Sequence, residues 1–226
     1  MNSFTINLAV AGDFIYLWRY DRQRPIQFSG LNFIQDLPRF LVLLLAMQRF
    51  QNRHWGLNPK LDPNFGKPAM PPATVRIKDP EKGVVDIVLG ETRVSHYGLN
   101  GRATNVVSVT SQKFASEGDL VAKFFWAEES RTSEPEILKR VYEIAKNEPD
   151  VRNHVPVMVF FHMFVESSTS IIRKRLGLRV RGARVLYIIL FRELMQITKL
   201  IGDQFLNCWW HTVKCDPLSI LVSGLH

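Results

Sequence analysis

The sequence has 226 residues, 46% of them hydrophobic and 22% charged, a balance that excludes a disordered or fibrous chain and suits one large domain or two small ones. The formal net charge is +8, which favours an acidic partner such as nucleotide phosphate, nucleic acid or an anionic surface. The only cysteines, Cys208 and Cys215, are too few for a disulfide framework and lack a second pair for a zinc site, so they are expected as core thiols in a reducing compartment. The longest apolar run, Phe40 to Met47, falls short of the roughly 20 residues that span a bilayer, and no basic segment precedes an apolar run at the start. The expectation is an intracellular protein, cytoplasmic or nuclear, with no membrane span and no metal site.

Residues 5–20 read as extended, rich in β-branched and aromatic side chains, with Gly12-Asp13 as a turn. A helix follows, with Asp36 as N-cap and Pro38 early in it, running to Phe50. It is apolar almost all round and therefore expected to be buried. Residues 56–73 hold five prolines and two glycines and read as a linker, which divides the chain into an accessory region at 1–55 and a larger unit at 74–226. Strands are expected at Thr74–Ile77, Val84–Leu89, Asn105–Thr110 and Leu120–Trp126, separated by turn signals at Asp79-Pro80, Gly90, Gly98 to Gly101 and Ser116 to Gly118. A helix over Ser133–Lys146 has Ser133 as cap, Glu136 at the capping-box position, Pro135 in the first turn and an apolar stripe of Ile137, Val141 and Ile144. Strands at Pro156–Phe161 and Arg184–Phe191 flank a basic insert, and a last helix runs from Asp203 to Lys214.

The order of these elements carries more than any one motif. A glycine turn between two strands leads to a strand bearing Val-Ala-Lys, then a helix with an early glutamate, two strands and a short acidic-apolar segment. This order resembles the layout of a protein kinase N-lobe and hinge, in which a strand lysine holds nucleotide phosphates and a helix glutamate fixes that lysine. The lysine would be Lys123, in LVAKFFW, and the glutamate Glu134, in SEPEIL, with Glu136 as a competitor that serves Ser133 instead. Taken alone, Lys123 reads more readily as a strand lysine reaching to solvent, and it is Glu134 and the glycine turn that reverse this reading. The phosphate loop would be Gly98 to Thr104; Gly101 matches its first glycine, Ala103 stands where the second belongs and the third is absent. A methyl at a position of positive φ costs roughly 1 kcal/mol, and the same segment also reads as a plain hairpin turn.

The tracts WAEESRTSE and REL-x-x-ITKL, the latter followed by a helix with a tryptophan pair, resemble the fungal-type protein kinase domain, as does IYLWRYDRQRPIQFSGLNF for the β-rich region that precedes it. The resemblance runs from Leu8 to Cys215. It implies an α+β fold: a kinase-like N-lobe, made of an antiparallel sheet and an αC-type helix, behind a β-rich N-terminal accessory region, with the C-lobe missing. It also implies ATP-dependent phosphorylation of protein hydroxyls, with Gly101, Ala103, Thr104, Lys123 and Glu134 at the phosphates and Phe191, Glu193 and Leu194 at the adenine.

The pattern departs from the family after Cys215. No His-Arg-Asp or Asp-Phe-Gly motif occurs, so no catalytic residue is assigned, magnesium is not expected, and residues 1–226 by themselves are expected to show no kinase activity. Apolar residues around Trp209 and Trp210 would then lack a partner, which predicts self-association or a protein docking face. That supports an alternative, a non-catalytic pseudokinase-like interaction module. Nucleic-acid binding is the less favoured reading: Arg173, Lys174, Arg175, Arg179, Arg181 and Arg184 fall within twelve positions, a run that is also an ordinary solvated insert.

Overall fold

The computed structural model describes residues 3–58, 61, 72–95, 101–146, 155–195 and 199–210. In the first of these stretches, β1 (Phe4–Ala11) and β2 (Phe14–Asp21) form a hairpin in continuous register from Phe4↔Asp21 to Ala11↔Phe14. The turn is the expected Gly12-Asp13, with Gly12 at φ 57, a conformation glycine takes without a Cβ penalty. Two short strands, β3 (Pro25–Gln27) and β4 (Leu31–Asn32), add to β2. The aromatic side chains suit a pleated surface: Trp18 stacks on Tyr20 and Phe14 on Tyr16.

Helix α1 (Leu37–Gln48) forms as expected behind Asp36, with Pro38 in its first turn, but none of its residues is buried. Val42 is 66% exposed and Leu41 55%. This corrects the expectation of a buried helix. An apolar circumference shows that a helix needs cover but does not say which element supplies it; among the described residues the cover is partial, with Phe33 against Phe40 at 5.7 Å between ring centres.

The larger unit is a six-stranded antiparallel sheet in the order β5-β6-β7-β8-β10-β9. Its strands are β5 (Thr74–Asp79), β6 (Gly83–Ser95), β7 (Asn105–Thr110), β8 (Leu120–Glu128), β9 (Met158–Phe164) and β10 (Arg184–Arg192). The main surprise is β6, which was expected to end at Leu89 with a turn at Gly90. It continues through Gly90 to Ser95, with register irregularities between Leu89 and Val94. Gly90 is there for clearance: a Cβ would lie 3.0 Å from the carbonyl oxygen of Ser108 on β7. β9 is also shifted by two to three residues from its expected position.

Val185 to Leu190 of β10 and Phe124 to Trp126 of β8 are buried without a break, and since successive strand residues point to opposite faces, the sheet is covered on both. Val75, Ile77, Val85, Ile87, Ala122, Phe124, Trp126, Leu186, Ile188 and Leu190 fill one face, joined by Leu61 from the Pro/Gly-rich segment. Phe125, Val185, Tyr187 and Ile189 line the other. The sheet curls enough for Lys82, in the β5–β6 turn, to donate from Nζ to the Val159 carbonyl at 3.1 Å on the far edge strand. A lysine over an edge strand blunts its tendency to pair with other chains.

Helix α2 (Glu134–Ala145) is specified locally. The Ser133 side chain accepts from the Glu136 amide, and the Glu136 carboxylate accepts from the Ser133 amide at 2.8 Å. Tyr142 docks it on β9, its hydroxyl donating to the Pro156 carbonyl at 2.5 Å and accepting from the Met158 amide at 2.8 Å. The expected stripe is only partly covered: Pro135 and Ala145 are buried, whereas Ile137 and Ile144 stay exposed.

The basic insert holds a short helix, α3 (Thr169–Arg175), and here the two sheets are joined. Arg173 is 5% exposed and its Nη2 donates to both carboxylate oxygens of Asp21, 1% exposed, at 3.0 and 3.2 Å. The same group donates to the Arg24 carbonyl at 2.7 Å. Gln23 adds a bond to the Arg181 carbonyl and accepts one from Thr169. Arg173 is thus a structural cation at the end of β2, which removes it from any phosphate-binding run; Lys174, Arg175, Arg179 and Arg181 remain exposed.

Residues 203–210 are helical, and Trp209 and Trp210 are 56% and 52% exposed. Cys208 is half-buried rather than a core thiol, and Cys215 lies outside the described residues. None of the described helices is long and apolar enough to cross a membrane.

Candidate functional site

The pairing of strands decides which side chains share a face. Val121 is opposite Ser108 on β7 and Phe191 on β10, and Lys123 is opposite Val106 and Ile189. Cross-strand partners in a pleated sheet point the same way. Val121, Lys123, Phe125 and Ala127 therefore form a file along one face of β8, the face on which α2 lies.

At the head of α2, Glu134 meets Lys123. The lysine Nζ donates to both carboxylate oxygens, at 2.6 and 2.7 Å, and both side chains are half-buried. Lys123 also stands 5.1 Å from the centre of the Phe125 ring, which limits water on its apolar side. Two expected residues eleven positions apart are thus brought together. Glu136, the competitor, is occupied at the cap, and the hydrogen bonds from Ser133 hold its carboxyl below the usual range. Below the cap, Tyr187 stacks on Phe125, and burial pushes its phenol pKa up.

A cleft of about 430 Å³ opens beside the pair, lined by Arg102, Lys123, Phe125, Glu128, Arg131, Glu134 and Arg184 among others. Arg131 pairs with Glu128 at 3.0 Å. The guanidinium of Arg184 donates to the Trp126 carbonyl at 3.2 Å.

The expected phosphate loop is only partly among the described residues, because 98–100 lie outside them. Its second half is anchored on both sides. The Gly101 amide donates to the Arg22 carbonyl at 3.1 Å, and the Trp126 amide donates to the Arg102 carbonyl at 2.7 Å. Gly101 has φ 88 and Ala103 φ 41, so the position where a glycine would be expected does demand positive φ. The Ala103 methyl is buried in the sheet core, and Thr104 is half-buried. The Gly101 N–H is therefore occupied by the first sheet, and Arg102 projects from a fixed base.

At the other end of the face, Phe191 is half-buried, while Glu193 and Leu194 are exposed. The Glu193 amide donates to the Asp119 carbonyl at 2.7 Å and is not available to a ligand. Its carboxylate accepts from Arg93 at 3.3 Å, and Arg93 Nε donates to Ser108 Oγ at 2.7 Å. The Arg93 side chain thus crosses the row Ser108–Val121–Phe191. Sequence reasoning missed Arg93 because the Gly90 turn signal ended the strand before it. Arg102 was visible only as part of the expected phosphate loop, and Arg184 only as the end of the basic run. No described group of His, Cys, Asp and Glu could hold a metal ion.

The family model for fungal protein kinases matches residues 2–184. The match takes in the first sheet, the Pro/Gly-rich segment, Lys123 and Glu134, and stops before Phe191, Glu193, Leu194 and the tryptophan pair. Neither the curated proteins nor the solved structures give a match. With most of its length matched and its paired lysine and glutamate inside the matched part, the chain belongs to the fungal protein kinase family.

Proposed function

We propose that this chain carries the nucleotide-binding lobe of a protein kinase, with β6, β7, β8, β10 and β9 as the lobe's sheet, α2 as its αC-type helix and the first sheet as a brace. The observation that carries the reading is the Lys123–Glu134 ion pair at the head of α2. Around it, the strand order puts a loop of positive φ on one side and the end of β10 on the other.

ATP supplies the phosphoryl group in this chemistry. Lys123 holds its phosphates, and Glu134 keeps Lys123 from turning to solvent or into the strand. The adenine lies along Val121 and Phe191, against the peptide groups after Glu193. Neither a His-Arg-Asp nor an Asp-Phe-Gly motif occurs in the 226 residues, which supports nucleotide binding without phosphate transfer by this polypeptide on its own. Titration calorimetry with ATP tests this: a saturable site, weakened in Glu134→Gln, is expected. Label transfer from ATP to protein by the purified polypeptide, lost in Lys123→Ala, would overturn the non-catalytic part.

A second reading has its own observation. The exposed Phe205, Leu206, Trp209 and Trp210 make a patch suited to a protein partner, as in a non-catalytic interaction module. Specific capture of one partner, lost in Trp209→Ala with Trp210→Ala and indifferent to Lys123→Ala, would favour it.

A further inference from the structure

The cleft beside Lys123 carries more positive charge than its own carboxylates neutralise. Glu134 is matched by Lys123 and Glu128 by Arg131. Among the described residues, Arg102 has no ion-pair partner and the Arg184 guanidinium has only the Trp126 carbonyl. Two guanidiniums are left over in a concave site, where the low-dielectric walls concentrate their field.

Position along β8 gives this surplus a direction. Val121, against Ser108 and Phe191, marks one end of the face. Lys123 follows, and Phe125 and Ala127, which floor the cleft, come next. At about 3.4 Å per residue, Val121 to Phe125 spans roughly 14 Å, the scale of a nucleotide with its phosphate chain extended. The Arg102 carbonyl accepts from the Trp126 amide on β8 and the neighbouring Gly101 amide donates to the Arg22 carbonyl, so the guanidinium projects from an anchored backbone.

We infer that Arg102 and Arg184 form a subsite for the outer phosphates of a nucleoside triphosphate, making the number of phosphates the chief determinant of affinity. The inference rests on the nucleotide reading above. Guanidinium suits this task because its fork of donors matches phosphate oxygens. The subsite acts through the chain's own cations, so its selectivity persists when divalent ions are chelated.

The test is equilibrium binding of ATP, ADP and AMP to the full 226-residue chain in EDTA, and again with magnesium, for wild type and Arg102→Gln. Arg102 is exposed, so this variant folds, which a melt checks. In EDTA, ATP is expected to bind at least about tenfold tighter than AMP, with most of that ratio lost in Arg102→Gln. Arg184→Gln should lower it in the same direction. Equal affinity for all three nucleotides, unchanged by either variant, overturns the inference and leaves the nucleotide reading standing. No binding of any nucleotide with or without magnesium overturns both.

Discussion

Asp21→Asn is the sharpest perturbation the fold offers, because it removes a charge and little else. The asparagine keeps an oxygen for the Gln23 and Arg24 amides, which Asp21 Oδ1 now accepts at 2.9 and 3.1 Å. What is lost is the partner of Arg173, whose guanidinium is only 5% exposed. Stranding one member of a buried ion pair costs about 3–5 kcal/mol. Domains have about 5–15 kcal/mol of stability in all. For a chain of this size, each kcal/mol moves the midpoint by about 2–4 °C, so a fall of roughly 6–20 °C is expected. The assay is thermal and urea unfolding of wild type, Asp21→Asn and the double variant Asp21→Asn/Arg173→Met, with Asp86→Asn as a surface control. Asp86 pairs with Arg76 at 2.7 Å in open solvent and should matter little. The double variant should recover part of the loss, since no buried charge is left unpaired. An Asp21→Asn variant no less stable than Asp86→Asn would refute the claim that this pair joins the two sheets.

Gly56→Ala should loosen the first sheet. Gly56 has φ 92, and a Cβ there would lie 1.8 Å from the Phe4 carbonyl oxygen, so a loss of about 1–3 kcal/mol or more is expected from unfolding curves. Ser133→Ala should cost about 1 kcal/mol in the same assay by removing the α2 cap. The cap is also pH-sensitive. The Glu136 carboxyl is depressed in the folded chain, so its contribution is complete above the ordinary glutamate pKa of about 4.3 and is lost as pH falls through the lowered value. In Glu136→Gln, that acid-side loss of stability should shrink. Arg93→Ala should raise ATP affinity up to about fivefold, since Arg93 bridges Ser108 and Glu193 across the face assigned to the base, and exposed pairs hold by about 0–1 kcal/mol. A weaker ATP affinity in that variant would mean that Arg93 contacts the nucleotide.

Much of this fold is legible because its signals are local. The turn at Gly12-Asp13, the cap at Ser133 and the apolar, aromatic run LVAKFFW each specify their element within a few residues. The Lys123–Glu134 pair was reachable through the resemblance of the element order to a kinase N-lobe, and the strand and helix start that carry it are separated only by a short turn. What escaped the sequence depends on distant contacts. Gly90 signals a turn by composition, yet its lack of a side chain serves the passage of β7, fifteen or more residues away. Arg173 sits in a run that looks like solvated charge until Asp21, 152 positions earlier, meets it. The exposure of α1 was hidden too, because apolarity predicts that a surface needs cover without naming what covers it.

The central claim is that Lys123, fixed by Glu134, holds nucleotide phosphate. It is tested most directly by the dissociation constant for ATP in wild type and Lys123→Ala, each checked for an unchanged melting midpoint. Loss of a charged hydrogen-bond donor should weaken ATP by at least about tenfold while the fold persists. Equal affinity in the two folded proteins would contradict the account.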